Sequence, residues 1–226
     1  MIDKDPLPEV PELPEFSVEQ LEEGVHHVNN PIIGLKPIEK IYLQTVTEYI
    51  QVDNNFYFSD GTAKVEIRVV SDEIIRVRLA PQGTFLDDFS YAVPKLETRV
   101  TVFSFKETEE SYRVSTNTVT CVIDKKDFLI SFEDNDNLII NSDYSTMHWE
   151  ENVDFGGYYV YCTKQCSNDE SFYGLGDKPT SFNLRGKRFL NWATDTYAFS
   201  RDHDPLYRAI PFYIGIHENI SYGIFF

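Results

Sequence analysis

Two neighbouring stretches of this chain alternate apolar and polar residues with a period of two. Val65, Ile67 and Val69 alternate with Glu66 and Arg68; after Ser71-Asp72-Glu73, Ile75, Val77 and Leu79 alternate with Arg76 and Arg78. Successive side chains of a strand point to opposite faces, so the pattern predicts a hairpin with one buried face. The same rhythm returns at Tyr112 to Ser115, Val119 to Ile123, Phe128 to Phe132 and Leu138 to Ile140. Polar turns, Asp124 to Asp127 and Glu133 to Asn137, separate the last three. Near the C-terminus, IPFYIGIH and SYGIFF read as two further strands joined by Glu218-Asn219. Short strands at this spacing, with almost no helical pattern, predict an all-β fold, an antiparallel β-sandwich.

The remaining sequence sets the boundaries. Residues 1–16 carry four prolines and five acidic groups and read as an extended arm. Between Ser17 and Val28 one short helix is a candidate: Ser17 caps it, Gln20 follows three residues on, and Val18, Leu21, Val25 and Val28 recur at helical spacing. Gly24 weakens the pattern, and an irregular segment is the alternative. The expected organisation is an acidic, proline-rich arm over 1–35 and a sandwich over 36–226. The 14 Tyr and 17 Phe suit strands, where flat rings pack on a pleated surface; some could stack on sugars, but core packing is their ordinary use.

A net charge of −17 argues against nucleic acid and anionic membranes as partners. No apolar run approaches the roughly 20 residues that span a bilayer. The N-terminus lacks the pattern of a secretory signal, which leaves the compartment open between cytoplasm and periplasm. Three cysteines make no disulfide framework. Cys162 and Cys166 have metal-like spacing without a second pair, and Cys121 stands alone in a strand-like run, so thiols rather than a zinc site are expected.

One loop stands out. FYGLGDKPTSFNLRGKR, residues 172–188, runs from two glycines into Lys178, Arg185, Lys187 and Arg188. A P-loop needs glycines five apart, then Lys and Ser/Thr at a helix start; here Gly174 and Gly176 are two apart and Pro179 follows Lys178. A dinucleotide loop needs a third glycine where Pro179 stands. The remaining reading is a tight turn whose glycines permit positive φ and close backbone approach.

The wording from residue 172 to the end is specific. Tyr173 to Asp177, Leu184 to Gly186, Trp192 to Asp195, Pro205-Leu206-Tyr207, Ile210-Pro211-Phe212 and Tyr222 to Phe226 occur in the order found in glycoside hydrolase family 31. The segment resembles the part that closes the N-terminal domain of that family. FYFSDGTAKVEIRVVSDEIIRVRLAP fits the same domain more loosely, and residues 1 to about 35 show no match. The resemblance implies a β-sandwich of the galactose-mutarotase type, packed on a (β/α)8 barrel and lending it a loop that walls the sugar site. It also agrees with the chain ending on Ile224-Phe225-Phe226 without a polar tail, since termini normally fray into water. The expectation is a part of a longer polypeptide.

The same resemblance implies the chemistry. Retaining glycosidases use two carboxyl groups about 5–5.5 Å apart. In family 31 both belong to the barrel, so no catalytic residue is expected in this chain, and this chain alone should be inactive. Asp202 and Asp204 are the one local carboxylate pair to weigh against that, and no motif supports them. The family's N-terminal loop supplies an aspartate that hydrogen-bonds the leaving-group sugar, and here that residue is Asp195. Thr196 and Tyr197 adjoin it, Tyr197 standing where members often carry a small hydroxyl residue; with Phe199 they either wall the sugar or pack the loop. Gly174, Gly176, Arg185, Gly186 and Trp192 would position the loop, with Arg185 and Arg188 pinning it by ion pairs. The implied enzyme is an α-glucosidase acting with retention on terminal α-linked glucose, without cofactor or metal. Its partners would be an α-glucoside oligosaccharide and its own barrel, with self-association through apolar surface of the last strands. Two alternatives are a free-standing carbohydrate-binding sandwich and a mutarotase-like epimerase. The latter would need a Glu and a His in a cleft, drawn from His26, His27, His148 in a turn-like stretch, His203 and His217.

Overall fold

The structure, a computed structural model, describes residues 39–89, 101–153 and 155–226. The expected arm and helix, with His26 and His27, lie outside the described residues. Among the described residues there are fourteen strands and no helix. All fourteen lie in one unit, Lys40–Phe226.

The first sheet grows from the alternating hairpin. β1 is Ile41–Tyr42, followed by β2 (Glu48–Val52), β3 (Asn55–Ser59), β4 (Lys64–Val69) and β5 (Ile75–Ala80). β2 to β5 form an antiparallel sheet in chain order, with Val65 opposite Leu79 and Ile67 opposite Val77. Phe56, Phe58, Val65, Ile67 and Val69 are buried on one face, as the period of two requires. The opposite face is also covered. Glu66 is buried there, held by Arg76 at 3.0 Å and by the Tyr57 hydroxyl at 3.3 Å. Asp88 then bridges Arg76 and Arg68, and Phe85 packs against Arg78. A carboxylate on the polar side of a strand is therefore buried because cations stand on the strand beside it.

The second sheet supplies the facing layer. It comprises β6 (Ser104–Glu107), β7 (Ser111–Ser115), β8 (Thr120–Asp124), β9 (Ile130–Glu133), β10 (Ile139–Glu151) and β11 (Tyr158–Lys164). The order is β1-β10-β9-β8-β7-β6, with β11 also paired to β10, and every pairing is antiparallel. Tyr112, Val114, Cys121, Ile123, Ile130, Met147 and Trp149 meet the first sheet in one hydrophobic core. Rings bridge the layers: Phe58 lies 5.0 Å from Tyr112, and Phe56 stacks on Phe105 at 4.9 Å. Each such ring contributes about 1.5–3 kcal/mol by burial. The arrangement is the antiparallel β-sandwich expected from the alternation.

β10 corrects one reading. Val119 to Ile123, Phe128 to Phe132 and Leu138 to Ile140 were legible as strands, but the third continues through a stretch that reads as a turn around His148. The reason is cross-strand stacking. His148 is buried between Tyr42 at 4.9 Å and Tyr161 at 4.7 Å, so partners on β1 and β11 supply what the local sequence lacks. Nearby, buried Asp143 accepts from the Ile130 amide at 2.9 Å and pairs with Lys164 at 2.6 Å. Cys162 reaches the same carboxylate at 3.7 Å, Cys166 is exposed, and burial pushes the Cys121 thiol up to about 12. Among the described residues no group of three or more His, Cys, Asp or Glu is gathered for a metal.

The third sheet is β12 (Ser171–Gly176), β13 (Ala209–His217) and β14 (Ile220–Phe225), in that order and antiparallel. Glu218 and Asn219 both have positive φ, the conformation of a two-residue hairpin turn. Its inner side meets β10, where the His217 ring bonds the Ile140 carbonyl at 2.9 Å, while the Tyr222 hydroxyl donates to buried Glu170, just before β12, at 2.5 Å. Its outer side is apolar and open. Ile210, Phe212, Ile214 and Ile216 alternate outward with 48%, 37%, 39% and 41% of their surface exposed, and Phe225 joins them.

Candidate functional site

The glycine-rich stretch is the end of β12 and the start of a long irregular excursion, residues 177–208, that returns as β13. Gly174, Leu175 and Gly176 all have positive φ, and the pairing register shifts between Gly174 and Gly176. A Cβ on Gly174 would lie 2.6 Å from the Phe212 carbonyl oxygen, and one on Gly176 only 2.2 Å from that of Arg208. These glycines therefore let two backbones touch. The Asp177 amide then donates to Arg208 at 3.1 Å and closes the base of the loop.

Polar contacts hold the rest, because the loop has no ladder of its own. The Lys178 ammonium pairs with Asp204 at 2.5 Å and donates to the Leu190 carbonyl at 2.8 Å. Lys187 pairs with Asp202 at 2.9 Å, and Thr180 bonds the same carboxylate. Gly186 takes the positive φ of a turn beside buried Leu184. Arg185 departs from the expected ion pair: its guanidinium donates to the carbonyls of Ser167 at 2.7 Å and Glu170 at 2.5 Å. Arg188 makes no ion pair among the described residues and lines a cavity of about 310 Å3 with Thr180, Lys187, Asp202, His203 and Asp204.

Asp195 is exposed, and its carboxylate has no hydrogen bond or ion pair among the described residues. Its neighbours are tied down. The Thr194 amide donates to Leu206 at 3.2 Å, and the Tyr207 hydroxyl donates to the Thr196 carbonyl at 2.5 Å. Tyr197 projects with 96% of its surface exposed and Trp192 with 71%, while Thr196 is half-buried. Phe199 meets Tyr207 edge-on at 5.8 Å. The structure thus gathers Asp195, Thr196 and Tyr197 on one outer stretch, and Gly174, Gly176, Arg185 and Gly186 at its base and flank.

Asp202 and Asp204 are poorly suited to acid catalysis. The Thr180 hydroxyl and then Lys187 hold the Asp202 carboxyl below its ordinary value. Burial would raise that of Asp204, but Lys178 and the Leu190 amide outweigh it and the net direction is down. A general acid needs the opposite shift. Of the described histidines proposed for epimerase chemistry, His148 and His217 are buried and His203 lines the cavity. Sequence reasoning missed the pairing of Lys178 with Asp204, which lie 26 residues apart in a stretch without periodicity.

The profile of the glycosyl hydrolase 31 N-terminal galactose mutarotase-like domain matches residues 64–226. The chain belongs to this family. Alpha-glucosidase 2 of Bacillus thermoamyloliquefaciens is 28% identical over 189 residues, covering 83% of this chain and 23% of that enzyme. The alpha-glucosidase of Saccharolobus solfataricus is 31% identical over 70 residues, 31% of this chain and 10% of its own length. Among solved structures, a Flavobacterium johnsoniae GH31 dextranase complexed with isomaltotriose superposes with a TM-score of 0.66 at 25% identity, over 77% of this chain and 21% of the dextranase. A GH31 alpha-xylosidase from Xanthomonas citri shares the fold, with a TM-score of 0.56 at 24% identity, over 73% of this chain and 18% of the xylosidase. This family 31 domain spans about a quarter or less of the length of the proteins it matches.

Proposed function

We propose that this chain is the N-terminal β-sandwich of a retaining α-glycosidase, and that the complete enzyme hydrolyses terminal α-linked glucose. The relatives named alpha-glucosidase support the substrate class. The nucleophile and acid/base belong to the catalytic (β/α)8 domain, which seats on the open apolar face of β13 and β14. Covering Ile210, Phe212, Ile214, Ile216 and Phe225 stabilises the contact by about 25 cal/mol per Å2 of apolar surface removed from water. This chain alone is inactive.

The observation that carries the loop's role is an uncommitted carboxylate between two fixed residues. Among the described residues Asp195 has no partner, whereas Thr194 and Thr196 on either side are held by Leu206 and Tyr207. A carboxylate so placed accepts charge-assisted bonds from adjacent hydroxyls of the leaving-group sugar, and the exposed Tyr197 ring adds an apolar surface beside it. In the complete enzyme, Asp195→Ala should lower kcat/KM for an α-linked disaccharide by about 1.5–3 kcal/mol, the scale of a hydrogen bond to a charged group. A nitrophenyl α-glucoside, whose leaving group has no sugar hydroxyls, should lose far less. The melting temperature should barely move, since an exposed unpaired carboxylate contributes less than about 0.5 kcal/mol. Equal losses on both substrates would overturn this role, and turnover by the 226-residue chain alone would overturn the assignment of catalysis to another domain.

A further inference from the structure

We infer that the Lys178–Asp204 ion pair is the positioning element of the Asp195 loop, joining three separate backbone segments at one point so that Asp195 is presented preorganised. The inference rests on the reading of Asp195 given above. Among the described residues the loop has two other ion pairs, and both are open to water: Lys187–Asp202 with side-chain exposures of 34% and 57%, and Arg208–Asp177 with 76% and 37%. Lys178 and Asp204 are at 3% and 15%. Desolvating both charges is costly, so a buried pair does little for net stability beside an apolar alternative. What it does supply is geometry.

The pair is a junction rather than a bridge. Lys178 stands two residues past the end of β12, and its ammonium donates both to Asp204 and to the Leu190 carbonyl. The Leu190 amide in turn donates to the second oxygen of Asp204 at 2.5 Å. The start of the loop, its middle and its returning arm are therefore tied together, with both oxygens of Asp204 engaged. From this junction the two arms run side by side: Thr194 bonds Leu206, and Thr196 bonds Tyr207. Asp195 is carried on the first arm between those ties. Leu206, 3% exposed, anchors the second arm by its burial. Releasing the junction frees both arms at the end where they are joined to the sandwich, and Asp195 loses its fixed position. A displacement of about 1 Å in a substrate-positioning group can cost on the order of a hundredfold in rate.

Two measurements on Lys178→Met and the milder Asp204→Asn test this. In the 226-residue chain, amide exchange at Leu190 and Thr194 should quicken tenfold or more, while Val65 and Ile67 in the core keep their protection. In the complete enzyme, the ratio of kcat/KM for disaccharide to that for nitrophenyl α-glucoside should fall tenfold or more. In the Asp195→Ala background, Lys178→Met should lower that ratio no further. Unchanged exchange at Leu190 and Thr194 would overturn the inference, as would equal acceleration in the core, which marks a merely structural pair. A ratio left untouched by Lys178→Met while Asp195→Ala lowers it would also overturn it. If Asp195→Ala itself leaves the ratio unchanged, the reading of Asp195 fails, and the exchange measurement alone decides whether the junction fixes the loop.

Discussion

Gly176→Ala and Gly186→Ala form a matched pair that separates two costs of adding a single methyl group. Both glycines have positive φ, +81° and +74°, so both substitutions force a side chain into left-handed backbone. That conformation costs about 1–2 kcal/mol for an L-residue, partly offset by about 0.4–1 kcal/mol from the stiffer unfolded chain. At Gly186 nothing lies within 4 Å of the new Cβ, and the net loss should be about 1 kcal/mol or less. At Gly176 the Cβ would stand 2.2 Å from the Arg208 carbonyl oxygen and 3.1 Å from the Ile210 nitrogen, both backbone. The β12–β13 end must part, and the Asp177 to Arg208 bond at 3.1 Å goes with it. Overpacking of this kind adds about 1–3 kcal/mol, and the lost bond about 1 kcal/mol. The expected total is about 2–5 kcal/mol, several times the loss at Gly186. Urea unfolding of the two variants, followed by far-ultraviolet circular dichroism, measures the difference. Equal losses would show that the close approach of Gly176 to Arg208 is not a constraint of the fold.

Two pH-dependent expectations follow from the buried groups. Desolvation, followed by the hydrogen bond to Glu170, raises the Tyr222 phenol well above 10.0, and burial pushes that of Tyr213 up to about 12. The stability that these neutral phenols contribute is therefore complete below about pH 10 and is lost as pH rises through their native values. An absorbance titration of the phenolate band should lose a late-ionising component in Tyr222→Phe, and that substitution should cost about 1–3 kcal/mol at neutral pH by leaving Glu170 Oε1 without its donor. Asp204 behaves oppositely, because its native carboxyl lies below 3.8. Its contribution is present above that ordinary value and disappears as pH falls through the depressed one, so the stability gap between Asp204→Asn and the unsubstituted chain should close as pH falls below that ordinary value.

The sequence by itself determined the layers of this protein. Side chains on a strand alternate by geometry, so Val65, Ile67 and Val69, and Ile75, Val77 and Leu79, announce which face is buried before any partner is known. The ordered motifs after Phe172 likewise identified the family, because they record a particular loop and its strands. Tertiary structure alone decided the features that depend on distant partners. Glu66 is buried because Arg76 lies on the neighbouring strand, and His148 extends β10 because Tyr42 and Tyr161 flank it. Arg185 carries a charge that predicted a carboxylate partner, yet it caps two carbonyls, a choice made by where Ser167 and Glu170 end up. The loop that presents Asp195 is the extreme case. An irregular segment has no period to read, and its shape comes from contacts such as Lys178 to Asp204 that exist only once β12 and β13 have paired and brought the two ends of the loop together.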